Sequence, residues 1–439
     1  MSQDLKEAAL AFHRSPKPGK LEIQATKPLA NQRDLALAYS PGVAYACEEI
    51  AEDSAAAYEY TARGNLVAVI TNGTAVLGLG SIGALAAKPV MEGKAVLFKK
   101  FANIDVFDIE MNETDIDDFV DTVVRLEPTF GAINLEDIKA PECFEIERKL
   151  KERLNIPVFH DDQHGTAICV AAATLNGLRI VNKNPADIRL VCLGGGAAAV
   201  ACLDLLIGLG VAQEHIRVCD SKGVIHSGRN DLNPEKSRFA VDTEARNIAE
   251  VMENADVFLG LSGPGTLSAE MVKVMARDPI ILALANPTPE IMPEDAQAVR
   301  PDAIIATGRS DYPNQVNNVL CFPFIFRGAL DCGATEINMD MKLACVRAIA
   351  DITKAESSDI VANAYGDHSL KFGRDYIIPK PFDPRLISIV PVAVAEAAIK
   401  SGVATRPIES LSAYADKLSG LVYRTGYFMK SVFEQAKRD

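Results

Sequence analysis

The sequence predicts an α/β fold of two domains, each built on a parallel sheet, with a helical C-terminal extension. Three observations predict it. The chain has 439 residues, beyond the size at which one hydrophobic core keeps growing. Short apolar runs alternate with helix-period stretches, twice over, which is the pattern of strands joined by helical crossovers. Beyond about Val316 the alternation gives way to helical periodicity alone.

In the first series, strands are expected at residues 66–71, 95–101, 130–134 and 157–159, with helices at 113–126 and 141–154. The second series places strands at 188–193, 216–220, 257–261, 280–285 and 303–307, each after the first preceded by a helix. Helices follow at 316–330, 339–353, 386–401 and 408–436, interrupted by the proline-rich IIPKPFDP stretch. These readings divide the chain into 1–162, 163–316 and 317–439, the last packing back on the other two or forming a subunit interface.

Composition narrows the function. Hydrophobic residues make up 48% and charged residues 24%, and no uncharged apolar run approaches the ~20 residues that span a bilayer. A formal net charge of −14 argues against nucleic-acid or anionic-membrane partners, which call for basic surfaces. The start carries Asp4 and Glu7 and lacks the features of a secretory signal. Nine cysteines without a CxxC pair read as core packing in a reducing, cytoplasmic setting.

Several motifs could carry chemistry. The run Gly194-Gly195-Gly196-Ala197-Ala198-Ala199 follows a strand and opens an apolar helix. Read as GxGxxA, Gly194 permits the turn, Gly196 lets a pyrophosphate approach the backbone, and Ala199 allows close helix packing. Asp220 ends the next strand, where an acid receives the ribose of NAD, whereas Lys222 and Arg229 nearby could meet the 2′-phosphate of NADP. Glu136-Asp137 and Asp161-Asp162 end two strands of the first series, and adjacent parallel strands would place them on one rim. Two acid pairs there call for a cation, and an all-oxygen set suits Mg²⁺ or Mn²⁺; acids at strand ends also serve as plain helix caps. His160 and His164 flank the second pair and are not assigned to the metal. Lys94 precedes the expected strand at 95–101, where desolvation would lower its pKa toward that of a base. Tyr39, before a Ser-Pro turn, would donate a proton or simply pack. Asn286 ends a strand on the nucleotide rim, and Asn318 lies at a helix start, where capping is the plainer role.

Taken together and in order, YSPGVA, NGTAVLGLGSIG, EGKAVLF, NLEDI, FHDDQHGTA, CDSKGVI, ALANPTPE and NNVLCFP resemble the malic enzymes, in particular the small bacterial, NADP-dependent type. The resemblance runs from about Lys17 to the C-terminus. It implies an N-terminal substrate and metal domain, a Rossmann-type NAD(P)-binding domain, and oxidation of L-malate to pyruvate and CO₂. By the same resemblance Lys94 is the general base, Asp161 orients it, and Tyr39 is the general acid. Glu136, Asp137 and Asp162 match the metal ligands, and Asn286 and Asn318 match asparagines that contact substrate or nicotinamide. The expected assembly is a homodimer or higher homo-oligomer. Two departures stand out. Thr74-Ala75 occupies the segment where many eukaryotic members carry a carboxylate-binding arginine. Many small bacterial relatives continue into a phosphotransacetylase-like domain after a stretch like residues 432–437, whereas this sequence ends at Asp439. A metal-dependent oxaloacetate decarboxylase or malolactic-type lyase is the alternative within enzymes, and a non-catalytic metabolite sensor the alternative outside them.

Overall fold

A computed structural model describes residues 3–76, 78–355 and 370–422. The chain opens with an arm of four helices, α1 (Gln3–Arg14), α2 (Gln32–Ala38), α3 (Val43–Glu52) and α4 (Ala57–Tyr60). The first sheet then follows as β1 (Leu66–Thr71), α5 (Ala84–Ala102), β2 (Asp105–Glu110), α6 (Ile116–Leu126), β3 (Ala132–Leu135), α7 (Glu142–Arg153) and β4 (Val158–His160). Its order is β2-β1-β3-β4, and its pairings are parallel. The acid pairs therefore leave neighbouring strands at the same edge.

One expected strand is corrected. Residues 95–101 lie inside α5, whose buried residues include Ala87, Met91, Lys94, Ala95, Phe98 and Phe101. That spacing is one face of a helix, and Lys94 sits mid-helix rather than ahead of a strand. The strand actually used is β2, an edge strand of alternating charge, DVFDIE, with too little apolar content to stand out in the sequence.

From β4 the chain runs straight into α8 (Asp161–Val181), which leads to the second sheet. This comprises β5 (Leu190–Leu193), α9 (Ala197–Gly208), β6 (Ile216–Asp220), β7 (Gly223–Val224), α10 (Pro234–Ser237), β8 (Val257–Gly260), α11 (Ala269–Lys273), β9 (Ile280–Ala283), α12 (Pro293–Val299) and β10 (Ile304–Thr307). Its order is β10-β9-β8-β5-β6-β7, parallel except for the β6–β7 hairpin. This is the doubly wound dinucleotide-binding arrangement, with the strand order reversing between β5 and β8. The helices before β8, β9 and β10 are short; only the four-residue α10 and a 3₁₀ turn lie between β7 and β8.

Helices α13 (Phe322–Asp331), α14 (Met339–Ile352), α15 (Leu386–Lys400) and α16 (Leu411–Val422) complete the described chain. The expected helix at 408–436 extends past the described residues. One apolar cluster joins α5 and β1 through α8 to the second sheet and on to α13, α14 and α15, so the two sheets share a core. Eight cysteines are buried as expected, while Cys47 is exposed on α3. Among the described residues no helix is long and apolar enough to cross a membrane.

Candidate active site

The first sheet brings the acids and Lys94 together. Glu136 follows β3, its backbone N–H bonded to the Ile70 carbonyl at 3.0 Å and its Oε2 accepting from the Asn134 amide at 2.9 Å. Asp137 adopts a left-handed backbone with φ of 55°, a conformation Asp tolerates better than most residues, which turns its carboxylate toward α8. The first turn of α8 carries Asp161 and Asp162, where the unpaired N–H groups of a helix start favour negative charge. Oδ2 of Asp162 accepts the Asp137 N–H at 2.8 Å. Glu136, Asp137 and Asp162 present carboxylate oxygens that all lie within 4.8 Å of one another.

Lys94 reaches this group from α5. Its Nζ lies 2.7 Å from Asp161 Oδ2 and 2.9 Å from Glu136 Oε1, above the Phe322 ring at 4.3 Å from the centroid. Burial alone would lower its pKa, but Asp161, Glu136 and Asp162 outweigh burial and hold the ammonium above the ordinary lysine value. The expectation of a desolvated, lowered lysine is thus corrected: three carboxylates surround a charge that burial disfavours. Asp161 also accepts from the Asn318 amide, so Asn318 braces the lysine's partner. Gly165, one turn on, leaves the room: a Cβ there would stand 1.9 Å from Asp161 Oδ1.

The residues fit a divalent cation. Oδ2 of Asp137 is buried without a hydrogen-bond partner, and three close carboxylates form a hard oxygen donor set. Burial, then Asp162 and Glu136, push the Asp137 carboxyl up to about 8, and burial with Glu136 pushes Asp161 up to about 7 despite Lys94. These folded values exceed the unfolded Asp value, so the folded chain holds protons more tightly, and charging these groups weakens the metal-free fold as pH rises from about 4 to about 8. A bound cation reverses that burden. The rise in melting temperature on adding Mn²⁺ is therefore expected to grow between about pH 5 and about pH 8; an equal rise at both ends would contradict this origin.

His160 and His164 serve the scaffold. Nε2 of His164 meets Glu147 at 2.8 and 2.9 Å and its Nδ1 meets Lys342 Nζ at 3.1 Å; burial holds its pKa down, to about 3. His160 is buried with Nδ1 3.7 Å from Asp162, and neither histidine belongs to the ligand cluster. The roles of Glu147 and Lys342 carried no signal in the sequence, since both sit in otherwise ordinary helical stretches. Thr74 and Ala75 pin the neighbouring loop to the acids: the Lys139 N–H donates to Thr74 Oγ1 and the Ala75 N–H to the Asp137 carbonyl, each at 3.0 Å.

At the second sheet, Gly194 has φ of 132° and no space for a side chain, because the Leu261 carbonyl oxygen would lie 2.4 Å from its Cβ. Gly196 caps α9 and faces open space, and Ala199 is buried against the sheet. These are the features a pyrophosphate cradle requires. Asp220 ends β6 but is fully engaged. It accepts from Arg229 Nη1 and Nη2 at 2.8 and 3.0 Å, from Lys236 Nζ at 2.9 Å and from the Lys222 N–H at 2.9 Å. Against a burial effect of opposite sign, Arg229 and Lys236 hold its carboxyl down at about 2. Lys236, sixteen positions beyond Asp220, was not singled out in the sequence. Asn286 lies exposed just after β9.

Tyr39 is not brought to this cluster. It ends α2 on the arm, 71% exposed.

Residues 18–151 match the family description "Malic enzyme, N-terminal domain" and residues 163–363 match "Malic enzyme, NAD binding domain". The chain belongs to the malic enzyme family. It is 67% identical over its whole length to the NADP-dependent malic enzyme of Salmonella typhimurium, of which it covers 58%. It is 62% identical to an NAD-dependent malic enzyme of Rhizobium meliloti, with 99% of this chain and 57% of the relative covered. The chain thus spans little more than half the length of these curated relatives. The crystal structure of malic enzyme from Pyrococcus horikoshii superposes with a TM-score of 0.87 at 41% identity, covering 98% of this chain and 99% of that one.

Proposed function

We propose that this chain, as a small bacterial, NADP-dependent type of malic enzyme, oxidatively decarboxylates L-malate to pyruvate and CO₂ while reducing NADP⁺. The observation that carries the reading is the Lys94–Asp161–Glu136 ion cluster beside a three-carboxylate group, at the edge of one sheet and next to a dinucleotide-binding sheet.

Glu136, Asp137 and Asp162 would hold Mg²⁺ or Mn²⁺. The cation would supply a Lewis acid toward the C2 oxygen and toward the charge that develops there as CO₂ leaves. Lys94 accepts the C2 hydroxyl proton, and a bound NADP⁺ would supply the hydride acceptor for C2. Committing three carboxylates to a cation withdraws charge that holds Lys94 protonated, leaving Asp161, braced by Asn318, to orient Nζ at 2.7 Å. The oxaloacetate formed loses CO₂, and Tyr39 protonates C3 of the enolate. Gly194, Gly196 and Ala199 would seat the dinucleotide, and Asn286 would meet its nicotinamide end.

NADP is favoured over NAD because Asp220 has no oxygen left for a ribose hydroxyl. Arg229 and Lys236 instead place positive charge beside it. The division 1–162, 163–316 and 317–439 stands as our reading of the functional units, and the cytoplasm as the compartment.

The assembly we propose is a homodimer or higher homo-oligomer. Helices α2 and α3 bury none of their residues, and Leu35, Leu37, Tyr39, Val43 and Tyr45 are exposed along them. A second copy against this face would bury that apolar surface and bring the Tyr39 phenol, which stands outside the cluster, to a substrate site.

The test follows the absorbance of reduced nicotinamide with L-malate and Mn²⁺, comparing NADP⁺ with NAD⁺ and adding EDTA as a control. A rise abolished by EDTA, with pyruvate as product, is expected. Lactate and CO₂ without net reduction of nucleotide would favour a malolactic-type lyase; a relative from Bacillus subtilis, 52% identical, is named a bifunctional malic/malolactic enzyme.

A further inference from the structure

Glu290 takes no part in the chemistry above, yet its side chain is wholly buried at the carboxyl edge of the second sheet. A buried carboxylate is costly unless its oxygens are met. Among the described residues no cation pairs with it, and the donors come from two loops. Oε1 accepts from the Ser262 N–H at 2.9 Å and the Ser262 hydroxyl at 3.2 Å, while Oε2 accepts from the Ala285 N–H at 3.0 Å. The Glu290 carbonyl accepts the Leu267 N–H at 3.0 Å. Gly260, the last residue of β8, leaves the space: a Cβ there would stand 2.5 Å from the carboxyl carbon and 2.8 Å from both oxygens.

The two loops so fastened follow β8 and β9, beside the point where the strand order reverses. The first touches the glycine turn, since the Leu261 carbonyl closes over Gly194. The second carries Asn286, whose carbonyl comes within 3.8 Å of the place a Cβ on Gly78 would occupy, and so faces the first domain.

We propose that Glu290 is a positioning residue for the nicotinamide half of the dinucleotide site: its carboxylate fixes the β8 loop against the Asn286 loop. The inference rests on the dinucleotide-binding reading given above. Glu290→Gln keeps the shape but turns an NH₂ toward one of the N–H donors, and Gly260→Ala displaces the carboxylate without changing it.

The experiment titrates NADPH fluorescence in the full chain and follows steady-state kinetics of both variants. Each is expected to raise the NADPH Kd and the KM for NADP⁺ about tenfold, the loss of roughly one charge-assisted hydrogen bond. The KM for L-malate and the affinity for Mn²⁺ should stay as in wild type. Should neither variant fold, Ser262→Ala, which removes only the hydroxyl donor, is expected to shift both constants in the same direction by about threefold. A lowered melting temperature with unchanged Kd and KM would make Glu290 a support of the fold and overturn the proposal. NADPH binding is read without malate. A chain that binds NADPH but does not oxidise malate therefore sinks the proposed reaction and leaves this test standing, whereas a wild type that binds neither NADPH nor NADH sinks both.

Discussion

Lys94→Ala is expected to lower malate oxidation by roughly a thousandfold or more, the scale of losing a positioned general base, with NADPH affinity left close to wild type. Lys94 is the basic side chain paired with the acid cluster, with Nζ held by Asp161 and Glu136, whereas the glycine turn of the second sheet lies on a different element. Charge sets a second expectation. Removing the ammonium takes away a cation that competes with a metal for Glu136 and for the field of Asp162, so the variant should bind Mn²⁺ at least as tightly as wild type. A folded variant that has lost both turnover and Mn²⁺ affinity would show that the substitution had damaged the acid cluster, not just the base. Turnover retained near wild type would remove Lys94 from its role.

The sequence made the second sheet legible almost strand for strand, because its strands are buried on both faces and read as continuous Val, Ile and Leu runs. The acid pairs were legible for a related reason: β3 and β4 are short apolar strands whose ends are marked by Glu136-Asp137 and Asp161-Asp162. Two features misled. Residues 95–101 look like a strand because AVLFKKF is a short apolar and aromatic run, and periodicity cannot separate that from a buried helix; the longer pattern from Ala87 to Ala102 is what decides it. The edge strand β2 escaped because Asp105, Asp108 and Glu110 face solvent or Lys88. The charge state of Lys94 was illegible for a different reason. Desolvation can be read from an apolar context, but the opposing carboxylates come from positions some forty to seventy residues away. Glu290 shows the same limit, since nothing local distinguishes it from an ordinary loop acid.

The other large effect concerns the choice of nucleotide. With Lys222, Arg229 and Lys236 around Asp220, a 2′-phosphate would find two side-chain cations already placed, while a bare ribose hydroxyl would meet a carboxylate with no free oxygen. Lys236→Ala is expected to reduce kcat/KM for NADP⁺ by about ten- to a hundredfold, the worth of one hydrogen bond to a charged group, and to leave the value for NAD⁺ nearly unchanged. Arg229 still holds Asp220 in that variant, at 2.8 and 3.0 Å, so the single substitution weakens NADP without improving NAD. Replacing Arg229 by Ser in addition leaves Asp220 only its bond from the Lys222 N–H, freeing Oδ2 to accept a ribose hydroxyl and setting an unpaired carboxylate against the 2′-phosphate, so the double variant should prefer NAD⁺. The asymmetry between the single and double variants is the diagnostic part. If NADP⁺ bound elsewhere on the sheet, both substitutions would change the two nucleotides alike, and a NADP⁺ to NAD⁺ ratio unmoved in the double variant would place the 2′-phosphate away from β6.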